Sequence, residues 1–553
     1  MQRKCYKQFT MRYGFHKGVA MASKEVFLRD ATGLVRNFSW VDVFFISAGG
    51  LGLGLAIIQL FNWVPYLFPG SNLSLMMLIG LVVVIFVGLA FVLFSVAMPR
   101  SGGDYIFVSR TLGGRLGFLY NLSLTVQLTG SVAVDTVLFT SIILSGALFT
   151  SGLATKNSGL QGLSILISQP QYGFVIGLAM LFFYAITVLV GGAMWKIVTR
   201  LFIVTGFASI LLLTGILLIT PHSAFVSAFN SLAGSTLTYD QVIPAAQKAS
   251  FNVPVWTIAA TIAGLPYAAL FYLGFERGTY IAGETKRVQN SMVLGTFLSL
   301  GLGAIFLVAL PPIMFNVVGE NWWKSLLFLY YQEPKIYPLP IAPGPNLMAA
   351  LAAPPVLVLV FAVVFCAWGM ITSIGRFQVF SRCIFAWSFD RIIPTAFARV
   401  SERFHTPTYS ILLFLGGTII ATVLAYFTNF LSFFLSTIGL GYALRLIVYV
   451  AAAVMPYRKN SKRIYQLSPL KPSILKVPLI TIAGIVSCIF FTYMSYQTYS
   501  TLATRQFSFL LPAAISAIVL FGVLGLGIYQ VAKMYWAKKG IDLGMAFREL
   551  PPE

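Results

Sequence analysis

Charged side chains are scarce in this chain. Asp, Glu, Lys and Arg together make up 9% of its 553 residues, whereas hydrophobic residues make up 58%. Soluble globular domains usually carry about 25% charged residues, because a surface in water needs polar groups to cover it. The composition therefore excludes an ordinary soluble protein and predicts an integral membrane protein that lies in a lipid bilayer.

Cysteine and histidine are rarer still, with four and three residues respectively. Their positions are Cys5, Cys366, Cys383, Cys488, His16, His222 and His405. The cysteines show no disulfide or metal-ligand spacing, and the histidines lie far apart along the chain. We therefore predict no metal centre and no cofactor. A membrane-embedded enzyme is disfavoured because no catalytic set is clustered.

Acidic residues are also few, 15 against 37 Lys and Arg, which gives a formal net charge of +22. Such an excess can indicate nucleic-acid binding. The basic residues, however, form no domain in which they alternate with aromatic side chains, as nucleic-acid-binding surfaces usually require. We therefore expect no nucleic-acid partner, and the basic residues need another explanation.

Long apolar runs are what the sequence has in place of charge. A membrane-spanning helix needs roughly 20 mostly apolar residues. On that criterion the sequence predicts twelve spans, at residues 41–61, 73–97, 116–149, 172–191, 197–220, 254–281, 290–315, 353–380, 408–427, 430–455, 475–499 and 509–534.

The distribution of Lys and Arg among these spans predicts their orientation. If both termini are cytoplasmic, most basic residues fall in the inner segments, as the positive-inside rule requires. The exceptions are Arg445 within span ten and the outer residues Lys156, Lys248, Lys324, Lys335 and Arg505. We predict a multi-pass protein of the cell membrane with cytoplasmic N- and C-termini, in which residues 1–20 are a dispensable extension.

Two predicted spans have breaks at corresponding positions five spans apart. Span one contains Gly49, Gly50, Gly52 and Gly54, and span six contains Gly264, Pro266 and Gly274. Glycine weakens a helix interior and proline removes a backbone donor. Close packing against another helix is the alternative explanation for glycines in a membrane helix. Interrupted helices in matching places of two halves are, however, typical of inverted-repeat transporters.

Unwound backbone in the middle of a membrane has a chemical use. It exposes N–H groups at the start of one half-helix and carbonyl groups at the end of another, each with a partial charge from the helix dipole. A zwitterion fits that arrangement without a charged side chain. The breaks therefore favour a small substrate such as an amino acid.

Three motifs support a family resemblance. They are "SRCIFAWSFDRIIPTAFARVSERFHTPTYSILL" at 381–413, "MPRSGGDYIFVSR" at 98–110, and "GFE" at 274–276 followed by "AGETK" at 282–286. In this order and spacing they resemble the amino acid-polyamine-organocation (APC) superfamily of permeases. The resemblance implies secondary transport of amino acids or related amines by alternating access, driven by protons or by exchange in preference to sodium.

The same resemblance implies an all-α membrane fold with twelve transmembrane helices, a five-plus-five inverted repeat with helices one and six broken, and two peripheral helices. The corresponding division of the chain is a cytoplasmic N-terminal segment at 1–40, a first repeat at 41–220, an extracellular loop at 221–253, a second repeat at 254–455, a cytoplasmic loop at 456–474, helices eleven and twelve at 475–534, and a cytoplasmic tail at 535–553.

The resemblance also assigns the substrate site. Gly49, Gly50 and Gly52 would bind the substrate carboxylate, whereas Ala269, Leu270 and Phe271 would offer carbonyls to the amine, with Tyr272 and Leu273 shaping the side-chain pocket. Sodium in this architecture would bind between helices one and eight, where Thr372 and Ser373 offer hydroxyls. Hydroxyls in a membrane helix more often bond their own backbone.

Ionisable residues within spans are costly and therefore point to function. In the resembled fold both helices border the central cavity, so we expect Asp135 in span three and Arg445 in span ten to face it, paired directly or through water. They would form a proton-responsive gate, a contact for a charged substrate side chain, or a structural buried pair. The resemblance also implies that Glu276 lies toward the cytoplasmic end of helix six and belongs to the inner gate. Its alternative is a solvated helix end, where Arg277 would be a weak surface partner.

Three other functions remain as alternatives to a permease. The first is an amino acid sensor or structural partner of the same fold, which would bind without transport. A membrane enzyme lacks a clustered catalytic set. An ion channel would ordinarily show rings of like charge or a filter loop.

Overall fold

The apolar segments form helices in a computed structural model of the chain. The structure describes residues 36–234, 237–337, 339, 341–429, 438–504, 510–548 and 550. Residues 1–20, predicted to be dispensable, lie outside this part, and so do residues 430–437 of predicted span ten.

The first part of the chain contains a series of helices up to residue 219. They are α1 (Trp40–Leu51), α2 (Leu53–Leu67), α3 (Leu73–Ala97), α4 (Asp104–Thr111), α5 (Gly114–Leu138), α6 (Ser145–Thr155), α7 (Ser158–Ser168), α8 (Pro170–Val190) and α9 (Gly192–Ile219). A π-helical segment, Phe139–Leu144, joins α5 to α6.

The middle of the chain is more interrupted. Its helices are α10 (His222–Ala233), α11 (Tyr239–Lys248), α12 (Ile258–Ala263), α13 (Leu265–Tyr272), α14 (Val288–Val318), α15 (Glu320–Gln332) and α16 (Pro345–Ala352). Two 3₁₀ segments, Phe275–Tyr280 and Ala282–Glu284, follow α13.

The remaining helices run to near the C-terminus. They are α17 (Pro355–Phe365), α18 (Ala367–Phe389), α19 (Thr408–Phe427), α20 (Ile438–Val454), α21 (Lys459–Leu467), α22 (Leu479–Thr504) and α23 (Leu510–Ala537). Short 3₁₀ segments lie at Thr395–Ala398 and Leu543–Phe547. Strands β1 (Ser473–Ile474) and β2 (Val477–Pro478) form a small antiparallel hairpin.

Within the described residues, nine helices, counting continuous pairs as one, are long and apolar enough to cross a membrane. A tenth is added if Leu440–Val454 and Lys459–Leu467, which meet at 68°, form one broken span. This agrees with an all-α protein that crosses the membrane many times. Predicted span six is not among the nine, because its breaks divide it into the short helices α12 and α13.

Helix α9 illustrates how the helices meet lipid. Ile197, Leu201, Val204, Leu211 and Leu218 are all exposed, and their spacing of three, four or seven residues places them on one helix face. A continuous apolar stripe of this kind is unfavourable in water and favourable in hydrocarbon. The stripe therefore marks the face of α9 that contacts the bilayer.

Several helices lie outside the predicted spans, among them α7, α10, α11, α15 and α16. They are shorter than a membrane span, so a search for 20-residue apolar runs does not detect them. Helix α15 packs against α2, where Trp323 Nε1 donates a 2.7 Å hydrogen bond to the carbonyl of Phe61.

The interrupted helices lie inside the helix bundle. Helix α1 packs against α14, α18 and the 3₁₀ segment Phe275–Tyr280. Helix α18 in turn packs between α5 and α9. Both breaks are therefore enclosed by protein and kept from lipid, as unwound backbone at membrane depth requires.

Candidate functional site

The first break is at Gly52, between α1 and α2. Gly52 has φ 57° and ψ 45°, and its N–H bonds to the carbonyl of Gly49 at 3.2 Å. Residues with a Cβ avoid this left-handed conformation. As a consequence, Leu53, Gly54 and Leu55 form the first turn of a new helix. Their N–H groups have no carbonyl acceptor one turn back within α2.

The second break follows α13. Leu273 is extended and Gly274 has φ 115°, a conformation that favours glycine. The N–H of Gly274 donates to Glu276 Oε2 at 2.7 Å and not to the carbonyl of Leu270 one turn back. The last carbonyls of α13 are thereby released from the helical hydrogen-bond pattern.

The two breaks touch each other at a pair of glycines. A Cβ built on Gly50 would lie 2.0 Å from the carbonyl oxygen of Gly274, and one on Gly274 would lie 2.1 Å from the carbonyl oxygen of Gly50. No side chain fits at either position. Gly50 and Gly274 thus hold the backbones of the two broken helices in direct contact.

A cavity of about 150 Å³ lies beside this contact. It is smaller than the roughly 300–1,000 Å³ pockets that hold drug-sized ligands. Its walls come from both breaks and from α2, α5, α18 and α20. Five of the predicted binding residues line it: Gly50, Gly52, Leu270, Phe271 and Leu273. The cavity therefore has the size for one small molecule.

Three residues predicted for the site, Gly49, Ala269 and Tyr272, do not line the cavity. Gly49 lies within α1 and faces Ile203 and Ile371, 3.4 Å from where its Cβ would be. Ala269 is fully buried, and its carbonyl accepts the N–H of Leu273 at 2.9 Å. The residues with free backbone groups therefore differ from those predicted. They are decided by the residue at which α1 and α13 end, which the sequence does not fix.

Asp135 and Arg445 both line the cavity, but no direct ion pair joins them; each pairs with another residue. Asp135 forms an ion pair with Arg376 and accepts a 3.0 Å hydrogen bond from Ser373. Arg445 pairs with Glu276 at 2.9 Å. The sequence analysis missed Arg376, although an arginine inside predicted span eight was itself a signal.

Glu276 and Arg277 are both buried, which excludes the solvated helix end that was the alternative. Glu276 is 2% exposed and bridges Gly274 of its own break to Arg445 of α20. Arg277 lines the cavity beside the glycine contact, and its Cδ lies 3.1 Å from the position of a Cβ on Gly50.

The two hydroxyls considered for sodium are both engaged as donors. Thr372 lines the cavity and donates to the carbonyl of Trp368 at 3.1 Å. Ser373 donates to Asp135. Among the described residues there is no group of three or more His, Cys, Asp or Glu that could hold a metal ion.

A second polar cluster, here called the motif layer, joins the three motifs of the sequence analysis. It consists of Ser101, Asp104, Tyr105, Arg110, Glu284, Arg382 and Asp390. Arg110 binds Asp390 through two hydrogen bonds of 2.5 and 2.8 Å, and Arg382 binds Glu284 at 3.1 and 3.3 Å. The four side chains of these two ion pairs are all buried. Each buried charge therefore has a partner of opposite sign, and the two pairs hold the layer together.

Asp104 connects the motif layer to α5. Its carboxylate accepts hydrogen bonds from Tyr120 at 2.6 Å and Asn121 at 2.8 Å, and Trp387 of α18 donates to Asn121. The N–H of Gly102 also bonds to the carbonyl of Tyr280, at 3.1 Å. The segment between α3 and α5, the second break and the end of α18 are therefore one polar assembly.

The family described as amino acid permease matches residues 38–524. The chain belongs to this family. It is thereby a member of the APC superfamily, as the motifs predicted. The match extends from just before α1 into α23.

Family membership and the fold agree on what the permease is. It is an integral multi-pass membrane protein, and its family indicates transport of amino acids, which are small-molecule substrates, and not an enzymatic reaction. A search of curated proteins gave no significant match.

Proposed function

We propose that this permease moves amino acids or related amines by alternating access. The cavity at the contact between Gly50 and Gly274 carries the proposal. Leu55 from the first turn of α2 and Leu270 and Phe271 from the last turn of α13 line it, so helix ends with free backbone groups border the same space. A zwitterion would place its carboxylate on the N–H groups at the start of α2 and its ammonium on the carbonyls at the end of α13.

The proposed architecture is a five-plus-five inverted repeat with twelve spans. Its support is that the break between α1 and α2 and the break after α13, which lie five spans apart in the predicted order, border one cavity. In such folds one repeat rocks against the other around a fixed site. Helices α22 and α23 follow the repeats and would be peripheral.

The motif layer is proposed as the closed inner gate. It lies on the side of the breaks where α1 begins, because Phe38 pairs with Thr285 and Ser101 with Ile281 across isolated β-bridges. The cavity extends the other way along α2, to Gln59 and Trp63. If the termini are cytoplasmic, the motif layer closes the cavity on its cytoplasmic side.

Asp135, Glu276 and Arg445 are proposed as gating or coupling residues, with protons or exchange favoured over sodium. Each carboxylate pairs with an arginine from another helix, Asp135 with Arg376 and Glu276 with Arg445. Protonating either carboxylate would leave a buried arginine without its partner, which is costly. Thr372 and Ser373 are the weaker candidates for a sodium site.

The test is uptake of a mixture of amino acids into proteoliposomes, measured by mass spectrometry with and without an inward proton gradient. Accumulation that needs the gradient supports proton coupling, and entry that only equilibrates supports exchange or facilitated diffusion. No entry by folded protein, either into empty vesicles or into vesicles preloaded with isotopically distinct amino acids for exchange, would overturn the transport proposal in favour of a sensor.

The coupling residue is tested with Asp135→Asn in the same assay. We expect the pH dependence of uptake to change, because the charge of the Asp135–Arg376 pair no longer responds to protons. Asp240→Asn, a change at an exposed residue of α11, is the matched control. A wild-type pH profile for Asp135→Asn would leave Asp135 with a structural role alone.

A further inference from the structure

Arg277 has an unusual environment for an arginine. It is 7% exposed, it lines the cavity, and its Nη1 is buried without a hydrogen-bond partner. No ion pair joins it to another residue in the part of the chain that the structure describes. Buried charges are normally paired, so this guanidinium requires a partner that the described residues do not supply.

The other charged groups around the cavity are already paired. Arg376 pairs with Asp135, and Arg445 pairs with Glu276. With Arg277 added to these two pairs, the charged side chains around the cavity include one more cation than anions. Asp104 does not line the cavity, and its carboxylate is already bonded to Tyr120 and Asn121.

The position of Arg277 is as informative as its charge. Its side chain lies against Gly50 and Gly274, and its Cζ is 3.3 Å from the position of a Cβ on Gly274. A molecule held by the backbone groups of the two breaks would thus be within reach of the guanidinium. A planar guanidinium matches a carboxylate with two parallel hydrogen bonds.

We propose that the substrate is an acidic amino acid, whose side-chain carboxylate binds Arg277. This rests on the proposed transport of amino acids and adds the substrate class. The extra negative charge balances the unpaired cation of the cavity. A cationic side chain is disfavoured, because Asp135, the only carboxylate that lines the cavity among the described residues, is held by Arg376 and Ser373.

The experiment compares substrates that differ in charge and hardly in shape. Uptake of glutamate, glutamine, aspartate, asparagine and lysine is measured with the full-length permease in proteoliposomes. We expect the acids to be preferred over their amides by roughly tenfold or more, since charge-assisted hydrogen bonds are about twice as strong as neutral ones.

Variants of Arg277 then test the residue. Arg277→Gln should lower glutamate uptake roughly tenfold or more relative to glutamine, and Arg277→Lys should keep the preference for acids. Arg463→Gln, at an exposed residue of α21, is the matched control and should behave as wild type. Size-exclusion profiles identify any variant that does not fold.

The outcomes separate the two proposals. Uptake of neutral or cationic amino acids without preference for acids would overturn the acidic-substrate inference and leave the transport proposal standing. An unchanged acid preference in folded Arg277→Gln would also overturn it. The absence of all amino acid uptake would instead contradict the transport function on which it rests. The wild-type comparison needs no variant, so it stays decisive if Arg277→Gln fails to fold.

Discussion

Single glycines set the geometry of the site at the residue scale. Gly52 is needed for its left-handed backbone, whereas Gly50 is needed for space, since its Cα approaches the carbonyl of Gly274. The two requirements differ physically but act together. One turns the chain at the break, and the other lets the two breaks meet.

Replacing Gly50 by alanine tests the contact between the breaks. The Cβ would lie 2.0 Å from a backbone oxygen that cannot rotate away, so the helices must separate. We expect a loss of about 1–3 kcal/mol in stability, the usual cost of overpacking, and a large loss of uptake. Thermal unfolding in detergent and proteoliposome uptake measure the two effects.

Gly375→Ala is the control for this prediction. Gly375 lies in α18, and nothing would lie within 4 Å of its Cβ. Alanine is a better helix former than glycine by up to about 1 kcal/mol, so stability should stay the same or rise. If Gly50→Ala retained wild-type stability and uptake, the close contact with Gly274 would be disproved.

At the scale of elements, the motif layer fastens separate segments to each other. Arg382 of α18 binds Glu284, which lies just before α14, and Arg110 of α4 binds Asp390 at the end of α18. Removing one partner of such a buried pair is much more damaging than the pair is stabilising. Loss of Glu284 should therefore weaken the whole layer.

Glu284→Gln is expected to open the motif layer, and Cys383 can report the change. Cys383 is fully buried in α18, and its Sγ lies 3.6 Å from the carbonyl of Gly102. In a background in which Cys5, Cys366 and Cys488 are serine, labelling of Cys383 by N-ethylmaleimide should accelerate roughly tenfold or more. Mass spectrometry measures the rate.

The control for this labelling experiment is Glu402→Gln. Glu402 is exposed in the segment between α18 and α19, so its replacement should leave the rate unchanged. Thermal unfolding checks that Glu284→Gln remains folded. Equal labelling rates for the two variants would show that the Glu284–Arg382 pair does not keep Cys383 inaccessible to the reagent.

Charge and lipid contact act at the scale of the whole molecule. The net charge of +22 is distributed among the predicted inner segments and not gathered in one patch. The exposed apolar stripe of α9 shows where the molecule faces hydrocarbon. Together they predict how the permease is oriented in the membrane.

The orientation is tested with protease-cleavable tags in membrane vesicles. Tags on the N- and C-termini should both be cut only in inside-out vesicles, where the cytoplasmic face is outside. A tag inserted between α10 and α11, in the predicted outer loop, should be cut only in right-side-out vesicles. Cleavage of the two terminal tags in different preparations would refute the predicted topology.

The sequence by itself determined the membrane class, the approximate position of most long helices, the two breaks and the family. These features are local or compositional: apolar runs, glycines at φ-demanding positions and short motifs can be read along one stretch of chain. The match to the permease family over residues 38–524 confirms the family.

Only the tertiary structure decided which charged residues form ion pairs with each other. Arg376 and Asp135 lie 241 residues apart in sequence, and Glu276 and Arg445 lie 169 apart, so no local pattern distinguishes these pairs from the expected pairing of Asp135 with Arg445. The same holds for Arg277, whose neighbours along the chain suggest a surface pair. Its burial and its missing partner arise from the packing of two broken helices at Gly50 and Gly274, and packing depends on every helix around them.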